Sequence, residues 1–332
     1  MRFVYRDGLV FDLYCQSETR VGDVYEFMST DDDYIMIRPD GEVLINNVSV
    51  TNIGNFYEVD IRQNDRYFTI FKTELEGSTQ PREKTPPPAT GGLVFRYFAP
   101  TYTGYLIDIP AMSVLKIYEG IHRHIFALPG DRVIVDSNIY DINSDERVKR
   151  LFDVVYNTHG NNFYGLRTYA HSRSEFMTWA DASGNQPSTV GNIDYYETCI
   201  EVYPHGDILL AETDRLDIYH KGLYVIGFNN VDPKRYARID ETHIFLDELI
   251  IDLSSGKWRG LSNVTSFAAD SGYLVIRDER RGSYWLFNDV LDIKNKANYE
   301  RLKGLSGEIL ALHDDTILTT DGFFKFSTSE TK

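Results

Sequence analysis

The chain of 332 residues carries 50 acidic against 34 basic side chains, a formal charge of −16, with 42% hydrophobic and 25% charged residues. That balance belongs to a globular protein able to bury a core without disulfides or metals, and it excludes a disordered tail. An acidic surface repels phosphate backbones and anionic lipids, so neither nucleic-acid nor membrane binding is expected, whereas a basic protein partner is permitted.

Tyr and Phe number 23 and 19 and fit pleated, half-buried surfaces, which points to β structure. Two distant cysteines, Cys15 and Cys199, exclude a disulfide framework and a thiolate zinc site. The opening MRFVYRDGLVFDLY places Arg6, Asp7 and Asp12 where a signal peptide needs an apolar core. No run of about eighteen apolar residues suggests a membrane span. A soluble, intracellular, cytoplasmic protein is the expectation.

In chain order, β runs are predicted at Leu9–Phe11, Tyr34–Ile37 and Val43–Ile45, the last two joined by the turn Pro39-Asp40-Gly41. Phe56–Ile61 and Tyr67–Phe71 follow. Residues 77–92, GSTQPREKTPPPATGG, hold four prolines and almost no apolar content, the composition of a linker or mobile loop. Beyond it come Gly104–Ile109, Val114–Tyr118, His124–Leu128 and Val133–Val135.

One amphipathic helix is predicted over Asp145–Tyr156, with Val148, Leu151, Phe152 and Val155 on one face and Ser144 as N-cap. Short helical turns are predicted at Asp232–Tyr236 and Asn298–Lys303. The remaining β runs include Phe163–Tyr169, Phe176–Trp179, Tyr195–Tyr203, Leu223–Phe228, Tyr273–Arg277 and Tyr284–Phe287.

Four segments share one plan, a short apolar run, an acidic turn, a second apolar run, then Asp, Lys or Gly. They start at Asp207, Thr242, Tyr273 and Glu308, with weaker members at Tyr34 and His124. Such a strand pair cannot bury both faces alone, and radial stacking of small sheets supplies the neighbours. Within the second segment, LIIDLSSGKW at Leu249–Trp258 resembles the outer hairpin of kelch-like and related β-propeller blades, where an aspartate precedes the turn and an aromatic follows it. The double glycine of kelch and the Gly-His and Trp-Asp pairs of WD40 are absent, so no propeller family is assigned.

The expected fold is therefore all-β, an irregular β-propeller with a few short helices in its connections. The alternative is two sandwich-type β domains. Residues 1–76 form an N-terminal β region, either the first blades of the same ring or a domain of their own, and 93–328 form the main propeller-like domain. A single ring would place the first strands beside Phe323–Phe326.

Chemistry leaves little trace. His122 and His124 share a strand face and could bind one metal, but no third ligand stands at informative spacing, so no metal or cofactor is expected. Trp179, Tyr195 and Tyr196, with Trp258 and Trp285, could offer a stacking surface for a glycan or peptide, although packing between blades also explains them. No G-x-S-x-G elbow, GxGxxG or P-loop occurs, and no catalytic residue is assigned. The function expected is a non-catalytic protein-interaction module or scaffold. The alternatives are an enzyme or small-ligand binder using a propeller channel, and a structural component of a larger assembly, viral ones included.

Overall fold

Strands of this chain are apolar along nearly their whole length, as in Tyr34–Ile37, Ile125–Leu128 and His243–Leu246, all four residues of each being buried. Continuous burial means that both faces of a sheet are covered. The computed structural model describes residues 2–74 except 31 and 65, 101–150 except 122–124, 129 and 137, 215–287 except 221, 222, 233 and 234, and 299–326; over 151–214 it describes the backbone of six strands.

Among the described residues nine antiparallel sheets follow one another, and within each the strand order is the chain order. Sheets 1 and 9, at 3–20 and 309–325, have three strands. Sheets 2 to 8 have four strands each and span 26–52, 58–119, 125–150, 154–193, 198–229, 236–260 and 264–302. In sheet 3, Tyr67–Glu74 pairs directly with Thr101–Asp108. No helix occurs among the described residues, and none there is long and apolar enough to cross a membrane.

The first strands of sheets 1 to 6 touch one another in sequence, as do those of sheets 7 to 9, so first strands lie innermost. Alternation along each strand sends side chains to opposite neighbours. Ile244, Leu246 and Ile251 of sheet 7 pack on Leu216 and Ile218 of sheet 6, while Phe245 and Ile250 pack on Leu274, Ile276 and Phe287 of sheet 8. The last sheet lies against the first, where Leu13 packs with Ala311 and Leu318 and the Phe11 and Phe323 rings meet edge-on at 6.1 Å. The architecture is that of an irregular β-propeller.

One turn recurs between neighbouring strands, an aspartate followed by a buried aliphatic residue. Asp12-Leu13, Asp108-Ile109, Asp141-Ile142 and Asp252-Leu253 share it. Each carboxylate accepts from a backbone N–H two or three residues on, at Tyr14, Ala111, Asn143 and Ser254, over 2.9–3.0 Å. Each aliphatic N–H donates to a carbonyl at the start of the preceding strand, at Arg2, Arg66, Asp131 and Thr242. Four residues after each aspartate the backbone is left-handed, at Gln16, Met112, Asp145 and Gly256. The aliphatic side chain plugs the space between two sheets.

The helix expected over Asp145–Tyr156 is replaced by strands. Arg147–Arg150 pairs with Asn138–Asp141, and Val154–His159 pairs with Asn162–Tyr169. Asp145 at φ 62° leaves the α path, and β-branched valines fit a pleat better than a helix. Val148 is 43% exposed, not on a core face. Ser144 serves the Asp141 turn, its N–H donating to the carboxylate at 2.8 Å. The turn expected at Asn298–Lys303 gives way likewise to strand Tyr299–Leu302, whereas at Asp232–Tyr236 the Arg235 N–H donates to the Asp232 carbonyl at 3.0 Å before strand Tyr236–Arg238 begins, residues 233 and 234 lying outside the described ones.

If the aliphatic plug holds adjacent sheets together, Leu253→Ala, which empties a fully buried position, costs about 2–5 kcal/mol. Chemical denaturation measures this. Arg280→Ala, at an exposed turn position between two strands, serves as the control and changes stability by less than about 0.5 kcal/mol.

Candidate functional site

Of the residues singled out in the sequence, His122, His124, Tyr195 and Tyr196 lie outside the described residues. Trp179 ends the strand Arg173–Trp179, with its backbone opposite Phe163. Trp258 and Trp285 do not form a common surface. Trp258 is 53% exposed on the outer strand of sheet 7 and meets Phe228 at 6.3 Å, whereas Trp285 of sheet 8 packs on Tyr299 at 5.5 Å.

A cavity of about 790 Å³ opens instead among the innermost strands of sheets 7, 8 and 9, Tyr236–Arg238, Val264–Asp270 and Ile309–His313. Small side chains make the room, with Ala237, Ala268, Ala269 and Ala311 standing where larger residues would fill it. Its lining is mainly apolar, and its charged members are Asp240, Glu241, Asp270 and Arg238. Three carboxylates against one guanidinium give the cavity the sign of the whole protein.

The turns after the three innermost strands are locked to one another. Gly272 N–H donates to the Ile239 carbonyl at 2.8 Å, joining sheet 8 to sheet 7. His313 Nδ1 lies 3.1 Å from Asp270 Oδ2, which also accepts from Asp314 N–H at 3.2 Å, joining sheet 9 to sheet 8. Asp270, His313 and Asp314 bring potential ligand atoms within 4.8 Å of one another. Their mutual hydrogen bonds explain that closeness as an inter-sheet tie.

Asp240 has a second duty. It accepts from Thr242 N–H at 2.7 Å, Thr242 Oγ1 at 3.0 Å and His243 N–H at 2.8 Å, and His243 Nδ1 stands 3.0 Å away. Burial pushes the carboxyl pKa up, but the hydrogen bonds from His243 and Thr242 outweigh it and lower the value from the ordinary 3.8 to about 2. His243 itself is buried. The rim carboxylate is thus a fixed charge.

A second feature lies on the outside. Ser113–Glu119, the outermost strand of sheet 3, alternates exposed and half-buried residues, and exposes Leu115 by 45% and Ile117 by 54%. Val114 and Tyr118 pack inward, and Lys116 is held by Asp145. Val48, 52% exposed, stands on the neighbouring outer strand of sheet 2, which touches it. Three other outer strands, Ser17–Arg20, Arg147–Arg150 and Tyr299–Leu302, are blunted by charge, whereas Val48–Asn52 and Leu223–Asn229 carry none.

Sequence reasoning missed both features. The alanines on inner strands read as ordinary strand residues, and whether a strand is outermost follows from pairing alone. A signal for the second existed in the run Val114–Tyr118, which is apolar except at Lys116 and so puts apolar side chains on both faces of its strand.

No family model matches the chain, and no curated protein matches it. Solved structures similar to it include β-propellers. The Dos1 propeller is 9% identical with a TM-score of 0.45, over 81% of this chain and 83% of that one. The β-propeller domain of the Trilobed protease from Pyrococcus furiosus is 12% identical with a TM-score of 0.38, over 82% and 80%. An acylaminoacyl peptidase from Pyrococcus horikoshii is 12% identical with a TM-score of 0.48, over 84% of this chain and 52% of that one. The propeller architecture stated above rests on the sheet order and inter-sheet packing of this chain.

Because Asp240 ionises more readily in the folded state, its contribution to stability is complete above pH about 4 and is lost as the pH falls toward about 2. Thermal unfolding followed from pH 7 to 2 detects this loss. In Asp240→Asn the acid dependence over that window shrinks, and stability at pH 7 drops by about 2 kcal/mol through the weakened hydrogen bonds.

Proposed function

We propose that this propeller is a non-catalytic protein-interaction module that takes a partner's extended strand on the outer edge of sheet 3. The observation that carries the reading is the outermost strand Ser113–Glu119 with Leu115 and Ile117 facing solvent. Its only strand partner among the described residues is Thr101–Asp108, so one edge of its backbone remains for a further ladder. Main-chain hydrogen bonds to an added strand supply affinity, and apolar side chains set opposite Leu115 and Ile117 supply register.

The chain's formal charge of −16 favours basic residues flanking the partner's strand. Against this, an enzyme reading has less to draw on. The His–Asp pairs among the described residues are spent on holding turns, at His243–Asp240 and His313–Asp270.

Affinity capture of the full chain from its native host, repeated with the double variant L115T/I117T, tests the reading. Threonine keeps the strand propensity, so the melting temperature stays within about 2 °C of the wild type. A stoichiometric protein partner is expected with the wild type and at least a tenfold loss of it with the variant. A partner retained in full by the variant removes the sheet 3 edge from the account.

A further inference from the structure

The inner cavity lies on other residues than the outer strand, and its chemistry is specific in another way. We propose that it is a receptor for a cationic side chain, an arginine or lysine presented by an extended protein segment. This goes beyond the outer-edge reading and stands independently of it.

Size comes first. About 790 Å³ is more than one side chain fills and falls in the range of roughly 300–1,000 Å³ usual for ligand pockets, so residues flanking the cation enter as well. The walls set the second condition. Phe267, Leu310 and the alanines of the innermost strands offer apolar contact and no hydrogen bonds from their side chains, which suits the aliphatic stem of a long basic residue.

Charge sets the third. Asp240, Glu241 and Asp270 face one guanidinium, Arg238, so an anion entering the cavity meets repulsion and a cation meets attraction. The carboxylates are pre-positioned. Asp240 is fixed by Thr242 and His243, and Asp270 by His313 and Asp314, so little ordering entropy is lost when a ligand arrives. A planar guanidinium, with its donors in a fork, matches the exposed carboxylate of Glu241 bidentately, which favours arginine over lysine.

Attachment to a protein segment follows from the surroundings. The cavity is open, its mouth is edged by exposed Glu241 and Ser271, and the protein as a whole is acidic. A segment rich in basic residues gains from that field before contact.

The test uses the full chain and the pentapeptide acetyl-Ala-Leu-Arg-Leu-Ala-amide, with a twin carrying citrulline, the uncharged isostere, in place of arginine. Calorimetric titration at low salt is expected to show saturable one-to-one binding of the arginine peptide, at least tenfold weaker for the citrulline twin. E241Q removes an exposed rim charge and A269F fills the cavity without changing charge. Each is expected to weaken binding at least fivefold with the fold intact by thermal melting. Should A269F fail to fold, E241Q and the citrulline comparison decide. Equal affinity for the two peptides, no saturable binding of the arginine peptide up to about 1 mM, or unchanged affinity in E241Q overturns the proposal. The L115T/I117T capture is read separately, so the outer edge and the cavity stand or fall apart.

Discussion

Sheets 2, 3, 7 and 8 of this protein are apolar on both faces, and no such sheet is stable with one face in water. That constraint organises the chain. Phe245 and Ile244, adjacent in sequence, point to different neighbours, one toward sheet 8 and one toward sheet 6. A sheet with two such faces must be sandwiched, and its neighbours must be sandwiched in turn. The succession therefore has no natural end. It ends where sheet 9 meets sheet 1 through Leu13, Ala311 and Leu318.

The recurrent aspartate turn serves the same constraint. A tight turn at the end of a buried strand leaves backbone N–H groups that water cannot reach in full, and the carboxylate satisfies them. The next residue is then free to point inward as a plug between sheets. At Asp252 all of this is supplied locally by Ser254 and Ser255, whose hydroxyls also donate to the carboxylate. Elsewhere the turn is tied to the neighbouring sheet. Arg66 bridges Asp108 and Asp131 at 3.2 and 3.0 Å, and Tyr67 donates its hydroxyl to Asp131 at 2.6 Å, so sheets 3 and 4 are clasped at their turns. Burial and that bond to a carboxylate raise the Tyr67 pKa to about 12, which keeps it a donor at any working pH.

Both proposed sites arise where packing between sheets is incomplete. Inside, alanines on the innermost strands of sheets 7 to 9 leave a cavity. Outside, the last strand of a sheet has a neighbour on one edge only, and whether it is a hazard or a docking edge depends on its side chains. Glu300 and Arg301 guard the edge of sheet 8, whereas Leu115 and Ile117 leave that of sheet 3 apolar.

The sequence by itself determined the β class and the fold's repeating logic. Runs such as YIMI and HIFL, followed by turns, read as β strands that a lone strand pair cannot cover on both faces, and DLSSGKW marked a turn through its glycine. The same turn at DLYCQ, DIPAM and DINSD was not legible, because Gln16, Met112 and Asp145 take the left-handed position without a glycine to mark it. The Asp145–Tyr156 stretch misled because two short strands and a turn can reproduce a helical spacing of apolar residues by coincidence. Outer strands such as Ser17–Arg20 carry no hydrophobic alternation, since backbone pairing to an inner strand is what holds them. Tertiary structure alone decided how the strands divide into sheets, which of them lie innermost, and hence which alanines and carboxylates meet. The reason is physical. A strand's own residues fix its faces, but its place in the ring is fixed by every sheet on either side.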